Sequence, residues 1–142
     1  MPEANDPDGS AAPAPSFHNP PGVMAPLGHY PHLAVVPAGA RLLVLAGQTG
    51  HAADGSLPDS VDSHYRNALV NVLAILASQG AGPRHIVKLN TWLTEPVKLD
   101  VVKAARIDLL GEAAPTSTLG YLPGLALPAM KVEIEASAAV PG

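Results

Sequence analysis

At 142 residues the chain has the length of one domain, enough to bury a core of its own. Charged residues make up only 14% against 47% hydrophobic, so much of the surface is apolar or small, which points to self-association. The net charge of −4 excludes the broad basic footprint of a nucleic-acid binder, and the lack of cysteine excludes disulfides, thiolate nucleophiles and cysteine-ligated metals.

Residues 1–16 are Pro, Ala, Gly and Asp without hydrophobic periodicity and read as a flexible tail, leaving 17–142 as a single domain. The tail lacks the basic and apolar regions of a signal peptide, and nowhere does a run approach the roughly 18 apolar residues of a membrane span. A cytoplasmic protein without membrane contact is the expectation.

Pro20-Pro21-Gly22 opens the folded part, and the elements then alternate. The segments 32–36 and 41–46 read as a hairpin joined by Pro37-Ala38-Gly39-Ala40. The second has Leu42 and Val44 on one face and Leu43 and Leu45 on the other, so it is expected mid-layer, buried on both sides. After a polar loop, Asp59 or Ser60 can cap a helix running to about Ser78. Its apolar stripe is Val61, Tyr65, Ala68, Leu69, Val72 and Leu76. A strand over 85–94 and a helix over 98–110 follow, the helix stopped by Gly111. Strands over 117–122 and 130–139 finish the chain. The order β-β-α-β-α-β-β predicts an α+β fold with two helices on one face of a mixed sheet. The other face, expected to carry Leu43, Leu45 and Trp92, then needs a cover, and copies of the same chain are the simplest one.

The last strand is the most informative. In Met130-Lys131-Val132-Glu133-Ile134-Glu135-Ala136 the apolar residues alternate toward a core, while Glu133 and Glu135 share the opposite face. A carboxylate there is either solvated or lines a cleft, because burying it unpaired costs several kcal/mol.

Five segments in order resemble the YjgF/Rid family, the reactive intermediate deaminases also labelled L-PSP endoribonucleases. They are Pro26-Leu27-Gly28-His29-Tyr30, Leu43-Val44-Leu45-Ala46-Gly47-Gln48, Ile86-Val87-Lys88 with Leu93-Thr94, Pro115-Thr116-Ser117-Thr118, and Val132 to Ala136. The resemblance covers about residues 19–140. It implies a chorismate-mutase-like homotrimer with clefts between subunits, hydrolysing imines derived from reactive enamines such as 2-aminoacrylate. In that family a last-strand glutamate places the attacking water, an arginine grips the substrate carboxylate, and a tyrosine lines the cleft.

Carried onto this chain, Glu133 matches the glutamate and Tyr30 the tyrosine, with Gly47 in the segment that resembles the family's Ser-Gly-Gln strand end. Thr116 stands where the arginine belongs, Ala46 where a serine does, and Lys103 where many members have asparagine. Thr116 and Ser117 are candidates for the substrate's polar end, and Lys103 for the missing positive charge. A solvated helical lysine and ordinary strand hydroxyls explain the same residues without any site. The expected function is hydrolytic deamination of an imine or enamine other than 2-aminoacrylate. The alternative is a non-catalytic trimer that binds a small metabolite or a partner. The charge balance speaks against ribonuclease activity. The six histidines show no i, i+4 pairing with another ligand, so neither a metal nor any other cofactor is expected.

Overall fold

In the computed structural model, which describes residues 14–142, the strongest periodicities become the longest elements. In chain order these are β1 (Ser16–His18), β2 (Leu33–Val35), β3 (Arg41–Val44), β4 (Gln48–Thr49), α1 (Val61–Ala77), β5 (Ile86–Leu93), α2 (Leu99–Leu110), β6 (Thr116–Tyr121) and β7 (Val132–Val140). A 3-10 turn, Pro83–His85, leads into β5. The first 13 residues of the expected tail lie outside the described residues, and Ser16, assigned to that tail, is already the first residue of β1.

The main sheet has the order β3-β7-β5-β6, with β4 continuing the pairing along β7 beyond β3. β5 and β6 are parallel and every other pair is antiparallel, so the sheet is mixed. A parallel neighbour cannot be reached by a tight turn, and α2 supplies the crossover. The two helices cover one face. Val132, Ile134, Ala136 and Ala138 of β7 are buried there, with Leu89 and Leu93 of β5, the predicted α1 stripe from Tyr65 to Leu76, and Val102, Ala105 and Leu110 of α2.

Local chemistry sets the helix ends. The Ser60 hydroxyl accepts from the Ser63 amide at 3.1 Å and caps α1. Gly111 closes α2 at a φ of 63°, in the region that favours glycine.

The expected hairpin does not form. β2 pairs with β1, placing Ala34 opposite Phe17, and β3 pairs with β7, placing Leu43 opposite Ala138. The Pro37–Ala40 turn instead carries the chain from the small β1-β2 ribbon to the main sheet. The cause is non-local: β7, with alternating apolar residues over nine positions, offers β3 a better partner than a three-residue β2 can.

Nor is β3 buried on both faces. It is an edge strand of the sheet: Leu43 and Leu45 pack on the core, while Leu42 and Val44 are 58% and 72% exposed. The apolar residues of the open face are therefore Leu42, Val44 and Trp92 rather than Leu43, Leu45 and Trp92.

Candidate functional site

Strand register assigns the open face residue by residue. β7 contributes Glu133, Glu135 and Ser137, and β5 contributes Trp92, Asn90 and Lys88. β6 contributes Gly120, Thr118 and Thr116, paired with those same three β5 residues in turn. Polar groups that would be costly under the helices are gathered here instead.

Glu133 is half-buried beside Trp92 and Thr49, its register partners on either side. Its side chain lies over Gly47: a Cβ built there would stand 2.7 Å from the carboxyl carbon and 2.8 Å from Cγ of Glu133. Gly47 is thus required by close approach of a side chain rather than by its backbone angles. Among the described residues, no hydrogen-bond or ion-pair partner engages the Glu133 carboxylate, which leaves it available to a ligand or water. Glu135 is engaged: the Trp92 indole Nε1 donates to its Oε1 at 2.8 Å. The Trp92 ring in turn covers Gly120, where an added Cβ would come within 3.0 Å of it.

The loop carrying Gly47 is pinned from the helix layer. Asn71 of α1 donates to the carbonyls of Thr49 at 3.0 Å and His51 at 2.9 Å, and Asn67 donates to Gly50 at 3.0 Å. Gly50 packs so tightly on α1 that a Cβ would lie 2.5 Å from the His64 Cα. His64, fully buried, accepts from the Lys131 amide at Nδ1 (3.3 Å) while Nε2 donates to the Pro58 carbonyl at 2.6 Å. His64, Asn67 and Asn71 recur at helical spacing as a polar stripe beside the apolar one. Sequence reasoning passed over that stripe, although its i, i+3, i+7 spacing was there to be read.

Thr116 is half-buried on the same sheet face, but its hydroxyl donates to the Val87 carbonyl of β5. Beside it, Lys88 donates from Nζ to Thr118 Oγ1 at 2.9 Å. Ser117 points the other way, toward the helices, where Arg106 of α2 donates to its Oγ at 2.9 Å. Arg106 also faces the Tyr65 hydroxyl, whose pKa burial pushes up while the guanidinium pulls it down. Lys103 is exposed on α2, in the layer that covers the opposite face. Tyr30 lines a cavity of about 910 Å³ with Phe17, Arg84, Glu112 and Pro115, a lining that includes neither Gly47 nor Glu133. The structure therefore joins Glu133 with Gly47. It sets Tyr30 in a cavity whose lining includes Pro115, the residue before Thr116, but not Thr116 itself. Ser117 and Lys103 lie apart from Glu133 and Gly47. Among the described residues no three His, Asp or Glu side chains converge on a metal position, and no helix is long and apolar enough to cross a membrane.

A five-stranded mixed sheet with two helices on one face and a glutamate presented from the last strand on the other defines a class of small α+β protein. The chain belongs to the family described as Endoribonuclease L-PSP, whose sequence profile matches residues 22–140. The conserved Rid-family protein YyfB of Yersinia pestis superposes with a TM-score of 0.77 at 23% identity, covering 89% of this chain and 98% of that one. Rv2704 of Mycobacterium tuberculosis, a YjgF/YER057c/UK114 family member, gives 0.60 at 23% identity over 89% and 100%. RidA of an Antarctic Psychrobacter gives 0.64 at 21% identity over 82% and 92%. No functionally curated protein matches the chain significantly.

Proposed function

We propose that this protein is a homotrimeric hydrolase that deaminates a reactive imine or enamine in clefts between its subunits, in the cytoplasm. The observation that carries this reading is the half-buried Glu133 carboxylate, held over Gly47 on an open sheet face and without a partner among the described residues. A carboxylate so placed takes a proton from water as the water oxygen bonds to the imine carbon. The proton is then delivered to nitrogen, giving a carbinolamine. Its hydroxyl proton passes to the nitrogen by way of the same carboxylate, the C–N bond breaks, and ammonia leaves with a carbonyl product. Amides near Gly47 steady developing charge, and Tyr30 walls the cleft.

The register supports a shared site. Thr116 is level with Lys88, and Glu133 is level with Trp92, four residues further along β5. That offset is about 13 Å along the strand, with two strand spacings across it, too far for one small imine to touch both. A second copy, seated on the exposed Leu42 and Val44, brings the Glu133 of one subunit to the Thr116 region of another. Ser117 and Lys103, facing the other layer, do not enter this version of the site.

One observation favours the rival reading of a metabolite-binding trimer without chemistry: the Thr116 hydroxyl is committed to Val87 and replaces no arginine function. Ammonia release from a panel of imines generated in situ by an amino-acid oxidase separates the two. The deaminase reading requires acceleration that disappears in Glu133→Ala with the assembly intact. The rival requires binding without acceleration.

A further inference from the structure

We propose that Lys88 takes the place of the absent guanidinium, its ammonium and the Thr118 hydroxyl together holding the substrate's anionic group. The proposal rests on the shared-cleft reading above.

Lys88 is the register partner of Thr116 and lies on the same sheet face, so it stands beside the position that would hold the arginine. It is half-buried, and its one side-chain hydrogen bond among the described residues is the 2.9 Å bond to Thr118. An ammonium has three protons, so two stay free for a ligand. No carboxylate of the described residues lies within ion-pair distance of it. The ion pairs found there join Arg66 to Asp108 and Lys131 to Glu95. Two other cations are engaged elsewhere: Lys131 is tied to Glu95 and the Asp59 carbonyl, and Arg106 is turned to Ser117 under the helices. Arg84 lines the Tyr30 cavity, and the register sets Lys88 rather than Arg84 beside Thr116. The ammonium end is exposed on the open face, within reach of a ligand, while the stem is part-buried.

The change of residue also alters what is recognised. A guanidinium is a planar fork matched to planar carboxylates, whereas an ammonium is a point charge with freely turning donors. The Lys88 site therefore requires an anion but does not favour a planar one.

Calorimetry with three ligands tests this: pyruvate, its tetrahedral monoanionic analogue methyl acetylphosphonate, and uncharged pyruvamide. In the wild-type assembly the two anions should bind within about threefold of each other, and pyruvamide about tenfold or more weakly. Lys88→Met should bring both anions down to the pyruvamide level. Lys88→Arg should restore pyruvate selectively, by about tenfold over the phosphonate. Anion binding unchanged in Lys88→Met overturns the proposal. So does loss of the assembly in that variant, since Lys88 would then be an ion-pair partner between copies, and so does an unshifted preference in Lys88→Arg. Because binding is measured at equilibrium, also in Glu133→Gln, the anion preference stands or falls separately from any turnover of imines.

Discussion

The Glu133 side chain occupies the space that a side chain on Gly47 would need, with its carboxyl carbon and Cγ both under 3 Å from that missing Cβ. The two residues come from β7 and from the turn before β4, and Gly47 cannot take a side chain without moving Glu133. Gly47→Ala should push the carboxylate aside while the core stays packed, because the clash is with a flexible side chain. The expected result is a loss of activity of about 10²-fold, the usual contribution of a placed general base, with the melting temperature nearly unchanged. Steady-state kinetics beside a thermal melt checks it. A stable, fully active variant would mean the carboxylate need not sit there.

Asn71 should matter for a different reason. Its amide serves two backbone carbonyls of the loop, Thr49 and His51, which Asn71→Leu would leave unpaired. The expected cost is about 1–3 kcal/mol of stability per carbonyl left without water or protein, read from the urea midpoint. A midpoint equal to wild type would show that the clamp is dispensable.

Much of the fold was legible because helices and strands announce themselves locally. The stripe from Val61 to Leu76 and the alternation from Val132 to Ala138 both lie where their periods put them. Pairing was less legible. Which strand β3 joins depends on β7, almost a hundred residues away in sequence, and nothing local to residues 32–46 encodes it. The run Leu42 to Leu45 is apolar at every position, so its composition gave no sign that Leu42 and Val44 face outward at a sheet edge. In the site, Glu133 stood out by alternation. Ser117 and Lys103 were set apart from it only by the parity of β6 and by the layer to which α2 belongs, facts that three dimensions supply.

Burial holds the His85 imidazole below its ordinary value, and Arg84 beside it adds to the effect. The unfolded chain, titrating near about 6.5, then binds the proton more readily than the folded one. This contribution to stability is complete above that pH and is lost as pH falls toward the folded value. Urea midpoints measured from about pH 7.5 down to 5.5 should decline, and His85→Gln should flatten the decline. An equal slope in the variant would assign the titration to another group.

Leu42 and Val44 are more than half exposed on the open face, and the proposed assembly covers them. Leu42→Glu together with Val44→Glu would force two carboxylates into that contact at several kcal/mol. The mass in solution should fall toward the 14.5 kDa of one chain, with circular dichroism preserved. A trimer that persists would place the contact on some other surface.

The most direct test of the central claim compares wild-type protein with Glu133→Gln, which keeps the shape of the side chain and removes its basicity. The quantity to measure is the rate of ammonia release from the imine that the wild-type assembly processes fastest. The account predicts clear acceleration by the wild type and a fall to the uncatalysed rate in the variant, with unchanged mass and melting temperature. Full activity in Glu133→Gln, or no acceleration by the wild type on any imine, would contradict it.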